Sequence, residues 1–277
     1  MVKALIKRNL KTHPQLNFPV YKSSCLRAPK NKKISFSSTS TEVSGPVFNK
    51  NIIGKLDNDL TLNFSKNNTL PIGHKISVCG RISDQFSNPL EGALIEIWQA
   101  NAAGKYLHHN DNNTAPIDPN FAGCGRSITS SKGYYEFFTI QPGPYPYPNR
   151  GIEWRPMHIH FSVFGKSFGQ RLITQMYFEG DPLINSCPMV NSIPDEKAKQ
   201  SLISTLDTSR FKTQKLLSYK FDIILRGTTQ TFFEKFNVKS LSNLPIFFLL
   251  KTGPEISVVV EEKEIFLFLG ALKILDL

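Results

Sequence analysis

Arg155-Pro156-Met157-His158-Ile159-His160-Phe161 is the stretch on which the fold turns. Read as a strand running from Met157 to Phe164, it sends His158 and His160 to one face and Met157, Ile159 and Phe161 into the opposite, apolar layer. Outward from it lie further short runs rich in Val, Ile, Phe and Tyr and bounded by Gly, Pro, Asn or Asp. They are His74 to Ile82, Ala93 to Gln99, Tyr134 to Ile140, Arg171 to Phe178 and Tyr219 to Arg226. Short strands without helical patterns between most of them predict an all-β protein, an antiparallel β-sandwich core with a long N-terminal arm and few short helices. One helix is expected, opened by Pro194, Asp195 and Glu196 and continued from Lys197 to Leu206. There is no internal repeat and no Gly-rich phosphate loop.

Composition agrees with a soluble globular chain: of 277 residues, 40% are hydrophobic and 20% charged. The net charge of +11 is unevenly placed, because residues 1–41 hold nine bases and no acid, leaving 24 bases against 22 acids elsewhere. That basic arm lacks the aromatic interleaving of a base reader, so no nucleic-acid partner is expected, and subunit docking is the simpler role. Residues 1–70 are polar and punctuated by Pro14, Pro19, Pro29, Gly45, Pro46 and Gly54, which reads as an arm wrapped on a catalytic domain over 71–235. Residues 236–277, with apolar clusters broken by Pro245 and Pro254, form an extension to which the sequence assigns no role. The longest apolar runs fall well short of the roughly 20 residues of a membrane span. Residues after Lys3, Lys7 and Arg8 form no apolar stretch of a secretory signal. Cys25, Cys79, Cys124 and Cys187 are scattered without a CxxC pair, which predicts reduced thiols in the cytoplasm.

Two imidazoles on one strand face are a chelating geometry, although an HxH by itself fits ordinary surface histidines as well. Its neighbours are rich in phenols. Gly104-Lys105-Tyr106 lies upstream, and Pro142-Gly143-Pro144-Tyr145-Pro146-Tyr147-Pro148 comes just before the pair. Three tyrosines in loops beside a two-histidine face suggest phenolate ligands, while packing or hydrogen bonding remains open for Tyr106 or Tyr145 taken alone.

The chain resembles the intradiol ring-cleaving dioxygenases from about Tyr21 to Glu234. The resemblance is carried by Gly45-Pro46-Val47-Phe48, Leu56-Asp57-Asn58-Asp59-Leu60, the run Glu96 to Tyr106 (EIWQANAAGKY), Asp118-Pro119-Asn120-Phe121, Gly143-Pro144-Tyr145-Pro146, Trp154 to Phe161 (WRPMHIHF), Thr174-Gln175-Met176-Tyr177-Phe178 and Phe221 to Gly227 (FDIILRG). It is similar in particular to the protocatechuate branch, whose enzymes pair this type of iron-bearing β chain with an α chain. The resemblance implies one Fe(III) per chain held by Tyr106, Tyr145, His158 and His160, with Tyr106 and His158 equatorial and Tyr145 and His160 axial. Physical chemistry is consistent with that set, since a hard trivalent cation favours anionic oxygen and deprotonates a phenol whose free pKa is about 10.

The resemblance further implies intradiol cleavage of protocatechuate with O2 as co-substrate to 3-carboxy-cis,cis-muconate, within the β-ketoadipate route of aromatic catabolism. Tyr145 would leave the iron and take a substrate proton. Arg155 would stabilise developing negative charge, and Gln175 would orient substrate or oxygen. Trp98, Tyr147 and Arg155 would line the pocket, with Tyr21 reaching it from the arm toward the substrate carboxylate. The match departs at Tyr147-Pro148, where the family commonly has Trp and then a basic residue, so the pocket rim differs. Catechol or hydroxyquinol as the diol, and a catalytically silent transthyretin-like sandwich module, are the readings left open beside it.

Overall fold

The computed structural model describes residues 9–31, 47–48, 52–67, 69–165, 171–210, 216–225 and 232–233. Its strands are β1 (Val47–Phe48), β2 (Lys75–Asp84), β3 (Leu94–Gln99), β4 (Cys124–Ile128), β5 (Tyr134–Ile140), β6 (Tyr145–Pro148), β7 (Ile152–Arg155), β8 (His158–Phe164), β9 (Leu172–Phe178), β10 (Ile203–Leu206), β11 (Leu217–Lys220), β12 (Ile223–Leu225) and β13 (Phe232–Phe233). Among the described residues the α-helices are short, α1 (Lys22–Arg27), α2 (Pro188–Asn191) and α3 (Glu196–Gln200), with 3-10 turns at Leu10–Thr12 and Pro182–Ser186. Among the described residues no helix is long and apolar enough to cross a membrane.

Nine strands form one curled sheet. β2 is flanked by β5 on one edge and by β11 and then β12 on the other, and the path continues through β10, β9, β8 and β3 to β4. Most pairings are antiparallel, but β10 runs parallel to β9, and β11 and β12 run parallel to β2. The sheet curls until its two halves face each other. Phe161 of β8 packs edge-on against Tyr135 and Phe137 of β5, at centroid distances of 6.2 and 5.8 Å, and lies 5.2 Å from Phe221. Ile76, Val78, Ile95, Ile97, Ile159, Val163, Met176 and Phe178 complete that buried layer.

The alternation read from β8 is present: Ile159, Phe161 and Val163 enter this core. Every residue of β8 is buried, so the histidine face is covered too, by the loops and arm rather than by solvent. The cross-strand registers then assemble a second, polar layer. His160 stands opposite Trp98 of β3 and Gln175 of β9, and His158 opposite Tyr177.

Three elements differ from the sequence reading. The helix that Pro194 to Glu196 opens ends at Gln200, and Ile203–Leu206 is β10 instead of its continuation. Asp195 caps it as expected, accepting the Ala198 N–H at 2.9 Å, but β-branched Ile203 and Thr205 are drawn into the sheet beside β9 and β11. Part of the stretch assigned to the arm is core: Leu60 is fully buried, its N–H bonds to the Phe138 carbonyl, and Asp59 bridges to Phe138. Pro146 and Pro148, read as loop, lie in the two-stranded β6–β7 ribbon, where an unpaired edge tolerates proline. The apolar extension over 236–277 lies outside the described residues.

Phe161→Ala removes the ring through which the two halves of the sheet meet. It is expected to destabilise the protein by about 3–5 kcal/mol in chemical denaturation, with a larger effect than the same truncation at the exposed Phe64.

Candidate metal centre

The strand geometry determines how each imidazole is presented. His158 Nδ1 lies 2.7 Å from the Pro156 carbonyl, to which it donates, leaving the Nε2 lone pair for the centre. That nitrogen is 3.4 Å from the hydroxyl of Tyr106 and 3.4 Å from that of Tyr145. His160 Nε2 is 3.3 Å from the Tyr106 hydroxyl. Burial, then the Arg155 guanidinium and His160, hold His158 well below the usual histidine pKa, so the ring is neutral and able to donate its electron pair.

The phenols come from a loop and from the start of β6, which the backbone forces together. Residues 101–105 form a tight turn in which Asn101 Oδ1 accepts the N–H groups of Ala103 and Lys105, both at 2.9 Å. Gly104 sits at φ +77°, and a Cβ there would lie 2.3 Å from the Pro144 carbonyl oxygen and 3.1 Å from the Tyr145 Cβ. Only glycine permits that approach, and it is what brings Tyr106 beside Tyr145. On the far side the buried Lys105 ammonium bonds the Asp111 and Asn113 carbonyls, and the Asp111 carboxylate accepts the Tyr106 N–H at 2.8 Å. Tyr145 opens β6 and stands directly opposite Arg155 of β7.

Arg155 is fully buried. Its guanidinium donates to Gln175 Oε1 at 2.5 Å, to the Tyr177 hydroxyl at 3.4 Å and to the Tyr145 hydroxyl at 3.5 Å. Tyr177 also donates to Gln175 Oε1, at 2.5 Å. Arg155 is thus a buried permanent cation set among phenol and amide oxygens.

Tyr21, Trp98, Tyr106, Tyr145 and Tyr147 make one buried aromatic cluster around these groups. The Trp98 ring is 4.8 Å from Tyr106 and 5.3 Å from His160. Tyr147 plays a different part from the other two loop tyrosines. Its hydroxyl donates to Glu153 at 3.1 Å, and burial, with Cys187 and Glu153 adding, pushes its pKa far up. It is a protonated wall residue in this arrangement.

Tyr106, Tyr145, His158 and His160 could hold one metal ion between them. Donors about 2.1 Å from a shared ion, at angles near 110°, stand about 3.4 Å apart, which is the spacing found here. Among the described residues no group of three or more His, Cys, Asp or Glu lies together; the donors that converge here are two imidazole nitrogens and two phenol oxygens. Two phenolates cancel most of a trivalent charge, which suits a hard ferric ion at a buried site.

A family model described as a dioxygenase matches residues 43–227. The chain belongs to the intradiol dioxygenase family. A second model, for the N-terminal part of the protocatechuate 3,4-dioxygenase β subunit, matches residues 6–39 of this dioxygenase. The protocatechuate 3,4-dioxygenase β chain of Burkholderia cepacia is 44% identical over 231 residues, covering 83% of this chain and 97% of that one. The α chain of the Pseudomonas putida enzyme is 27% identical over 59% of this chain and 77% of its own length. A solved 3-chlorocatechol 1,2-dioxygenase from Rhodococcus opacus 1CP aligns with 69% of this chain and 73% of its own, at 24% identity and a TM-score of 0.48.

The structure gathers Tyr106, Tyr145, His158, His160, Arg155, Gln175, Trp98, Tyr147 and Tyr21 in one region of the dioxygenase. It adds Tyr177, which sequence reasoning passed over. The signal was available, because Tyr177 follows Gln175 by two residues on a strand and so shares its face. Glu153 and Asn149 were also missed: Asn149 bonds residues more than a hundred positions earlier in the chain, and Glu153 bonds Tyr147 and Asn149 only once the β6–β7 ribbon is formed.

Gly104→Ala forces a Cβ into the Pro144 carbonyl and adds strain at a positive φ. It is expected to separate the two tyrosine loops, lower stability by about 1–3 kcal/mol and reduce iron content per chain to less than about half that of wild type, measured by thermal melting and metal analysis.

Proposed function

We propose that this chain is the iron-bearing β chain of a protocatechuate 3,4-dioxygenase, which with an α chain and O2 opens protocatechuate between its two hydroxylated carbons to 3-carboxy-cis,cis-muconate. The observation that carries the reading is the convergence of Tyr106, Tyr145, His158 and His160 at 3.3–3.4 Å, within a chain 44% identical to a protocatechuate 3,4-dioxygenase β chain over nearly all of its length. These four residues would hold one Fe(III) per chain. When bound there, a ferric ion would draw electron density from a chelated diol and make its ring reactive toward dioxygen.

The chain's own residues account for the rest of the chemistry. In this reading the Tyr145 oxygen is the base that receives a substrate proton, and the Arg155 guanidinium beside it stabilises the negative charge left on the substrate oxygen. Arg155 in turn is oriented by Gln175 and Tyr177, so its charge is preorganised. Gln175 lies 3.5 Å from His160 Nδ1, where its amide supports that ring and faces the substrate space. Trp98 closes one wall and excludes water from the reacting ring. Tyr21 and Tyr147 belong to the same aromatic cluster as Trp98; in this reading Tyr21 offers its phenol to the substrate carboxylate and Tyr147 a ring face.

The family of the α-chain relative supports assembly with such a partner. All four cysteines are free thiols, which fits a cytoplasmic catabolic enzyme.

The test is oxygen uptake by the iron-loaded α/β complex on protocatechuate, catechol and hydroxyquinol, with product mass from 18O2. Both heavy oxygen atoms are expected in the product, and kcat/KM for protocatechuate is expected to exceed that for catechol by about a hundredfold or more, since a site built for a carboxylate rejects a ring lacking one. Preference for either other diol would reassign the substrate.

A further inference from the structure

Asn149, at the tip of the β6–β7 ribbon, is 6% exposed and makes three side-chain hydrogen bonds. Its Oδ1 accepts the Lys22 N–H at 2.8 Å, and its Nδ2 donates to the Val20 carbonyl at 2.8 Å and to Glu153 Oε2 at 3.0 Å. The two backbone groups belong to the residues on either side of Tyr21. Glu153 Oε2 also accepts the Tyr147 hydroxyl at 3.1 Å. A carboxylate only accepts, so the donating Nδ2 must face Glu153, and the orientation of the amide follows. An amide accepts and donates from one planar end; aspartate at this position would keep the acceptor and lose both donors. The neighbouring Arg150 adds a bond to the Pro19 carbonyl at 3.1 Å.

The arm side of this contact is a turn already closed on itself. Tyr21 N–H bonds to the Phe18 carbonyl at 2.8 Å, and the Ser24 hydroxyl accepts the Phe18 N–H at 2.8 Å and lies 2.7 Å from the Tyr21 carbonyl. The Tyr21 ring therefore arrives as a preformed projection into the cluster of Trp98, Tyr106, Tyr145 and Tyr147. On the other side, the ribbon that Asn149 caps carries Tyr145 on one strand and Arg155 on the other.

We infer that Asn149 is a positioning residue: by bracketing Tyr21 it locks the arm to the ribbon bearing Tyr145 and Arg155, so that arm and ribbon form a single wall of the substrate pocket. Its effect on substrate rests on the function proposed above, whereas the clamp rests on the hydrogen bonds alone. Substrate affinity therefore depends on a residue that touches neither substrate nor metal.

The test compares wild type, Asn149→Ala, Tyr21→Phe and the double variant as iron-loaded α/β complexes, by hydrogen exchange and by kinetics on protocatechuate. Exchange at the Lys22 amide is expected to accelerate about tenfold or more in Asn149→Ala. KM is expected to rise about tenfold while kcat stays within about threefold, and the visible absorption of the iron site is unchanged. The double variant should have the KM of Tyr21→Phe within about twofold, because the clamp acts through Tyr21. Should Asn149→Ala fail to assemble, Asn149→Leu, of similar size and with neither donor nor acceptor, gives the same comparison. Unchanged Lys22 exchange, KM effects that multiply in the double variant, or lost iron absorption in Asn149→Ala would each overturn the inference. A wild-type complex inactive on protocatechuate would strike the substrate reading alone, and the Lys22 exchange would then decide the clamp.

Discussion

Under the proposed function, a buried trivalent cation would be stable only where anionic donors meet it without moving far, and that electrostatic constraint accounts for how the site is built. Two phenols and two imidazoles approach one point, each from a support that leaves it little freedom. β8 holds the imidazoles by register between β3 and β9, and the Pro156 carbonyl fixes the ring of His158. The phenols depend on loops, and loops need another source of rigidity. Here it is the contact of Gly104 with Pro144 and the buried Lys105–Asp111 pair behind Tyr106.

The same constraint explains the position of Arg155. A guanidinium with no exposure is costly unless its N–H groups find acceptors, and the Gln175 amide oxygen and the Tyr145 and Tyr177 hydroxyls supply them. Arg155, Gln175 and Tyr177 form a network whose members each orient the next. The arm completes the enclosure, so an aromatic cluster that begins on the sheet with Trp98 is finished by Tyr21 from the arm and by Tyr145 and Tyr147 of the β6–β7 ribbon.

Much of this was legible in the sequence because it rests on period two. The alternation in His158 to Phe164 separates a core face from a donor face, and the same rule applied to Gln175 would have led to Tyr177. Non-local pairing was not legible. Leu60 enters the core through backbone bonds to Phe138, and its polar neighbours give no hint of it. Helix-forming Lys197 to Gln200 obscured the strand at Ile203, which the sheet recruits from outside the segment. The local pattern only suggested the nearness of Tyr106 and Tyr145 and the resemblance supplied it, because the glycine contact that joins their segments spans about forty residues. Tyr147 could not be told from its two neighbours until the carboxylate of Glu153 was seen beside it.

The most direct measurement is the visible spectrum of the ferric protein, wild type and with Tyr106→Phe or Tyr145→Phe. Phenolate ligands give charge-transfer absorption that neutral nitrogen or carboxylate donors do not. The account predicts a coloured wild type whose band weakens and shifts in each variant at equal iron content. A colourless iron-loaded wild type, or a band indifferent to both substitutions, would contradict it.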